Sequence, residues 1–255
     1  MGDVARLAGV SVQTVSRVAT GSEHVRPETR EKVLRAMNKL GYSPNRAAQA
    51  LRRGSFKTIG VLTQQIQRTG EALTTAGVLE AATAADYAVN LVQVERPVSD
   101  DLRQAVYRLS HQAIDGLVVV QAGRAGSEHL VLPPSMPVAV SDSTLVDHYP
   151  SASADQVGGV REAVTHLLEL GHRTVHHVCG PEDSQSALIR KATWARTLRE
   201  AGRDVPETVS GGWEAAAGYE AGLRLAADPE VTAVFCANDE LALGLIRAMH
   251  EQGRR

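Results

Sequence analysis

Residues 3–18 read DVARLAGVSVQTVSRV, and their spacing predicts two short helices folded across one tight turn. Val4, Leu7 and Ala8 share one helical face. Gly9 can take the left-handed backbone conformation that strains a residue with a side chain, and Val10 drops into the angle between the helices. Ser11 caps the second helix, where Val15 and Val18 point inward. Val12, Gln13, Ser16 and Arg17 then project outward, mostly with hydrogen-bonding groups. Such a face suits a DNA major groove: Gln pairs two-pronged with adenine, Arg with guanine or phosphate, and a small apolar side chain touches a thymine methyl. The competing reading of these residues is an ordinary helical hairpin with a polar outer face.

The flanks favour the DNA reading. Gly21 ends the second helix, Pro27 opens a third in its first turn, and Val33, Met37 and Leu40 form an inward stripe until Gly41. Residues 1–55 carry ten Lys or Arg against four Asp or Glu, a balance of +6 in a chain of net −2, so the remainder carries −8. A basic head on an acidic body is what a phosphate-binding module joined to a globular domain should show. After Tyr42-Ser43-Pro44, Asn45 caps a short helix that Gly54 ends. A helix below about 12 residues is marginal in water, so this one is expected to order against a partner.

The run at 3–18, followed by HVRPETREKV (24–33), LGYSPNRAAQAL (40–51), HLLELGH (166–172), CGP (179–181) and ANDELALG (237–244), resembles the LacI family of bacterial transcription regulators from Asp3 to about Met249. A helix-turn-helix alone is weakly specific; the ordered set is strong. The resemblance implies a repressor that clamps a near-palindromic double-stranded DNA operator as a homodimer and answers to a small effector. It implies DNA contacts from Ser11, Val12, Gln13, Thr14, Ser16, Arg17, His24 and Thr29. It also marks 45–54 as a hinge helix in the minor groove, with Asn45, Ala48 and the wedge residue Leu51 at the DNA.

At 255 residues, a head of 1–44 and a hinge of 45–54 leave enough chain for two lobes. Two cysteines, Cys179 and Cys236, offer no disulfide framework. No targeting segment is visible and no apolar run reaches the ~18 residues of a membrane span, so the expectation is a cytoplasmic protein without membrane contact.

From Thr58 short apolar runs alternate with helical patterns. Strands are expected at 58–63, 89–94, 117–120 and 138–140, with helices at about 71–85 and at 100–111, the latter capped by Ser99. The second half repeats the grammar: helix 157–170, strand 174–179, helix 186–201, a strand near Val209, helix 214–226, strand 232–237 and helix 239–251. This predicts parallel sheets in two α/β lobes, 58–153 and 154–255, a core like that of the periplasmic binding proteins. The chain stops just after a helix where the family continues, so the second lobe is expected to be incomplete, with an open sheet.

Ligands of such sheets bind beyond the carboxyl ends of the strands. Those ends are Thr63-Gln64-Gln65, Val120-Gln121, Ser141-Asp142, Gly180-Pro181 with Ser184 and Ser186 beyond, and Asn238-Asp239. With Arg190 as the one fixed cation and the Trp213 indole, they suit a neutral polyhydroxylated molecule such as a sugar. The resemblance places Asp142, Ser184, Ser186, Arg190, Trp213 and Asn238 on or beside the effector positions and implies a β-galactoside or related glycoside. Val120 departs from the pattern, standing where an amide is expected. Each residue also has a plainer role: Asn238 and Asp239 are good helix caps, the serines can solvate a loop, Arg190 can be a surface charge, and Trp213 can be packing.

His172, His176 and His177 do not make a metal site, because adjacent strand residues face opposite ways and no thiol or carboxylate completes the spacing. No Walker loop, G-x-S-x-G, H-E-x-x-H or post-strand G-x-G-x-x-G is present, so neither cofactor nor catalytic machinery is expected. The alternatives to a regulator are a two-lobed sugar-binding protein and a glycoside-processing enzyme that uses Asp142 and Glu182. The enzyme does not need the basic head, and the binding protein would normally carry a secretion signal, of which none is seen.

Overall fold

The computed structural model describes residues 1–43, 54–94, 99–110, 113–120, 136–141 and 149–254. The chain divides into two compact units, Met1–Thr58 with Ala113–Asp115, and Ile59–Gln112 with Gly116–Arg255.

The first unit is built on α1 (Gly2–Ala8), α2 (Val12–Ala19) and α3 (Pro27–Lys39). Gly9 turns the chain at φ 65°, and Ser11 caps α2 by accepting the Thr14 amide at 3.1 Å. Val4, Ala5, Val15, Val18, Val25, Val33, Ala36 and Met37 form the core, with Val10 packed at its edge. Leu7 and Leu40 are exposed, against expectation, at 47% and 46%. In α1 the inward stripe runs Val4-Ala5-Ala8, small residues that let the helices approach; in α3 it ends at Met37, and Leu40 is the residue after the last helical turn. Arg30 closes the α2–α3 loop by donating to the Ser22 carbonyl at 2.5 Å. The hinge residues Asn45, Ala48 and Leu51 lie outside the described residues.

Asp115 explains why three residues distant in sequence belong to this unit. Its carboxylate accepts from the Ser55 hydroxyl at 2.5 Å and from the Phe56 and Lys57 amides at 2.7 and 2.8 Å. Burial alone would raise its pKa. The three hydrogen bonds and the Lys57 charge outweigh that and hold it below the usual carboxylate value.

In the second unit β1 (Thr58–Thr63), β2 (Ala88–Gln93), β3 (Gly116–Val120), β4 (Val138–Ser141) and β5 (Ser151–Ala152) form one sheet in the order β2-β1-β3-β4-β5, with α4 (Thr69–Ala84) and α5 (Ser99–Ser110) between strands. Val61 lies opposite Val118 and Val119 opposite Val140 in parallel register. Val61, Leu62, Leu117, Val119, Val120 and Val140 are buried, as near-continuous apolar strands require when covered on both faces. A second parallel sheet, β6 (His176–Cys179), β7 (Val209–Ser210) and β8 (Val234–Cys236), runs β7-β6-β8 among α6 (Gln156–Glu169), α7 (Gln185–Glu200), α8 (Ala215–Ala226) and α9 (Asp239–Glu251). Each sheet reverses its strand order once, between β1 and β3 and between β6 and β8.

Three local readings are corrected. Ser99 is the first residue of α5 rather than its cap. The helix after β1 begins at Thr69, two residues before Glu71. The two-residue strand β5 is too short to announce itself by alternation.

Trp194 anchors the second sheet by donating its indole N–H to the Val175 carbonyl at 2.8 Å. His177, fully buried, lies between Trp194 and Phe235 with ring centroids 5.2 and 5.0 Å away, and its Nδ1 is 2.8 Å from the Phe235 carbonyl. Burial drives its pKa down to about 4, the nearby Lys191 and Arg190 charges assisting. Helices α8 and α9 touch backbone to backbone. A Cβ on Gly218 would sit 2.1 Å from the Leu241 carbonyl, and one on Gly244 1.9 Å from that of Ala215. Among the described residues no helix is long and apolar enough to cross a membrane.

Candidate functional site

On the first unit, α2 presents an exposed face. Val12 is 49% exposed, Gln13 and Arg17 are exposed, and Ser16 is half-buried. Thr14 is committed locally, its hydroxyl 3.0 Å from that of Ser11. His24 is exposed in the loop before α3, and Thr29 is half-buried in the first turn of α3. Arg17 forms no ion pair with a described residue, which leaves its guanidinium available to a phosphate or a guanine edge.

On the second unit a cleft of 590 Å³ opens where the carboxyl ends of both sheets meet, the location general to open α/β sheets. Ser186, Arg190, Trp213 and Asn238 line it together. Ser184 does not. It is buried and caps α7, with its hydroxyl 3.1 Å from that of Ser186. Asp142 lies outside the described residues.

The geometry shows how each lining residue is held. Arg190 donates its Nε to Gln156 Oε1 at 2.7 Å and a terminal N–H to the Ala237 carbonyl, tying α7 to α6 and to the end of β8. Asn238 caps α9 by accepting the Leu241 amide at 2.9 Å and donates to the Trp213 carbonyl at 3.0 Å. Trp213 is only 9% exposed. Its ring lies against Gly180, where a Cβ would fall 2.6–2.9 Å from three ring carbons. The glycine after β6 is therefore the floor on which the indole rests.

Arg190 is not the single cation expected at the cleft. The Arg68 guanidinium lies 6.0 Å from the Trp213 ring centroid and that of Arg190 5.8 Å, so the indole faces guanidinium groups rather than standing bare for a ligand ring. Arg68, Thr69 and Glu71, at the start of α4, were missed as lining residues because the helix was expected to begin two residues later. Glu71 is 1% exposed, its Oε2 accepting from the Thr63 hydroxyl at 3.1 Å and the Gln64 and Gln65 amides at 3.2 and 2.6 Å. Across the cleft mouth Thr69 donates its hydroxyl to Glu240 of α9, which holds the Glu240 pKa below its ordinary value. The Cys236 thiol, also on the wall, is pushed up to about 11 by burial and stays protonated.

Among the described residues the arrangement offers guanidinium, carboxylate, hydroxyl and amide groups around a buried indole. Such a lining can bind a polar molecule.

Comparison with known proteins agrees with both halves. Residues 1–45 match the model for bacterial regulatory proteins of the lacI family, and residues 57–255 match that for periplasmic binding proteins and the sugar-binding domain of the LacI family. The lactose operon repressor of Escherichia coli K12 is 35% identical over 99% of this chain and 71% of its own length. Catabolite control protein A of Priestia megaterium is 31% identical over 98% of this chain and 77% of its own. The crystal structure of the lac repressor dimer bound to operator and the anti-inducer ONPF superposes with a TM-score of 0.83 at 32% identity, covering 99% of this chain and 78% of that one. These relatives are regulators and not enzymes, which removes the glycoside-processing alternative. The chain belongs to the LacI family of bacterial regulatory proteins, DNA-binding transcriptional repressors that carry a sugar-binding domain.

Proposed function

We propose that this repressor holds its operator as a homodimer and releases it when a β-galactoside or related glycoside enters the cleft. The carrying observation is the convergence of Ser186, Arg190, Trp213 and Asn238 on one 590 Å³ cleft, where neutral hydroxyls find charged and amide partners. On the DNA side the contacts are made by Ser11, Val12, Gln13, Thr14, Ser16, Arg17, His24 and Thr29 of the head and, in the minor groove, by Asn45, Ala48 and Leu51. The proposed organisation is a head at 1–44, a hinge at 45–54 and lobes at 58–153 and 154–255. Self-association is supported by Leu243 and Ile246, 66% and 62% exposed on α9, an apolar strip that water disfavours. Sugar binding changes the closure of the two lobes, and operator affinity falls with it.

The test is a mobility-shift titration of the 255-residue chain, at stated salt, on its own upstream DNA with and without a panel of β-galactosides and β-glucosides. Specific binding released by one sugar is the expected result. Specific binding that every sugar leaves unchanged would refute the effector assignment, and absence of any preference over random DNA would refute the operator assignment.

A further inference from the structure

Three polar atoms in the cleft wall are shielded from solvent and have no hydrogen-bond partner among the described residues: Arg68 Nε, Glu71 Oε1 and Trp213 Nε1. Glu71 and Trp213 are themselves 1% and 9% exposed. Buried groups of this kind are nearly always paired, because leaving one unmade forfeits its hydration without return. The partners that exist make the vacant positions informative. Glu71 spends Oε2 on the turn after β1 and keeps Oε1 free. Arg68 precedes α4 without bonding to the helix end through its side chain, and its guanidinium faces the Trp213 ring. Trp213 fixes its carbonyl to Asn238 and leaves its indole N–H unused.

These two donors and one carboxylate acceptor belong to residues that line the same cleft. Phosphate or carboxylate would satisfy the donors but would face the Glu71 charge, and the wall also carries Asp155, Glu214, Asp239 and Glu240 against the two guanidiniums of Arg68 and Arg190. An ammonium group would suit Glu71 and oppose Arg68. A hydroxyl both donates and accepts, so the hydroxyls of a neutral sugar suit donors and acceptor alike without burying a new charge.

We infer that Arg68 and Glu71 determine ligand specificity from the first-lobe side of the cleft, reading hydroxyl groups of a neutral sugar together with the Trp213 indole N–H. The inference rests on the reading of the cleft as the sugar site and adds the chemistry that chooses among sugars. A site built to hydrogen-bond a hydroxyl rejects the analogue lacking it far more strongly than an apolar pocket rejects a change of shape.

The experiment is calorimetric titration of the full chain, wild type, Arg68→Leu, Arg68→Gln and Glu71→Gln, with methyl β-D-galactoside, methyl β-D-glucoside, their monodeoxy derivatives and galactose 6-phosphate. For the wild type, at least one deoxy sugar is expected to bind roughly tenfold or more weakly than its parent. Arg68→Leu loses about the same factor for the parent and no longer distinguishes that deoxy sugar, while Arg68→Gln, which keeps an N–H donor, recovers part of the discrimination. Thermal melts identify any variant that fails to fold, and Arg68→Gln decides the question if Arg68→Leu does. Unaltered discrimination in the Arg68 and Glu71 variants overturns the inference while leaving the sugar site standing. Tighter binding of the 6-phosphate than of the neutral parent also overturns it. Failure of every sugar to bind the wild type overturns both readings.

Discussion

His177 should make the second unit sensitive to mild acid in a way that one substitution removes. The ring is fully buried between Trp194 and Phe235, and burial drives its pKa from the ordinary 6.5 to about 4. The folded state therefore prefers neutral imidazole. A group shifted downward in this way contributes stability that is fully present above the unfolded pKa and is lost as pH falls from 6.5 towards 4. The whole shift corresponds to about 3 kcal/mol at about 1.4 kcal/mol per unit. Integrating between pH 7.5 and pH 5 gives a loss of about 2 kcal/mol from this residue alone.

His177→Phe keeps an aromatic ring in the stack and removes the titration. It also removes the Nδ1 contact with the Phe235 carbonyl, a pH-independent loss of about 1 kcal/mol. The wild type should thus be the more stable protein at pH 7.5 by about 1 kcal/mol and the less stable at pH 5 by a similar amount. Urea unfolding followed by tryptophan fluorescence measures both, since Trp194 lies 5.2 Å from the imidazole and Trp213 is in the same unit. Carboxylates elsewhere titrate in both proteins and cancel in the difference. Stability curves that stay parallel from pH 7.5 to 5 would refute the argument, because they would mean that His177 charges in the folded state as easily as in the unfolded one.

Gly180→Ala puts a methyl within 2.9 Å of the Trp213 ring, so the indole must move; a cost of about 1–3 kcal/mol in thermal stability and a shifted tryptophan emission maximum are expected. Arg17→Ala should weaken specific operator binding by about 1–3 kcal/mol while sparing random DNA, whereas Lys32→Ala, if Lys32 meets phosphate, weakens both alike; gel-shift titrations on the two DNAs distinguish them. Gly244→Ala would drive a methyl into the Ala215 carbonyl and the Tyr219 amide, separating α8 from α9, and should lower the melting temperature more than Gly77→Ala, where nothing lies within 4 Å.

The head was legible because its signals are local. A glycine, a serine cap and valines at helical spacing specify the turn without help from the rest of the chain, and they place Gln13 and Arg17 outward by elimination. The errors there have two causes: Leu7 was taken as core where the smaller Ala5 and Ala8 let the helices pack closer, and Leu40 falls just past the last turn of α3. In the second unit, alternation of apolar runs and helices announces parallel sheets, and strand ends announce the cleft; Ser186, Arg190, Trp213 and Asn238 follow from that rule. Arg68 and Glu71 do not. A glutamate in the first turn of a helix ordinarily faces water, and only the folded turn at 63–65, with two amides and a hydroxyl aimed at one carboxylate, makes burial of Glu71 tolerable.

The cleft residues double as structural joints, and this constrains how they can be examined. Asn238 is at once the cap of α9 and the clamp on the Trp213 carbonyl, and Arg190 joins three elements before it meets any ligand. Alanine at either position would remove helix-end or interelement hydrogen bonds along with a ligand contact, so lost sugar binding would not by itself identify a contact residue. Isosteric changes separate the roles. Asn238→Asp retains the oxygen that caps α9 and deletes the donor that meets the Trp213 carbonyl or a ligand, so affinity lost while the stability of α9 is kept does not come from loss of the cap. By the same logic Ser184 is buried as the α7 cap, with its hydroxyl 3.1 Å from that of Ser186. Its replacement should register as lowered helix stability before it registers as altered sugar preference.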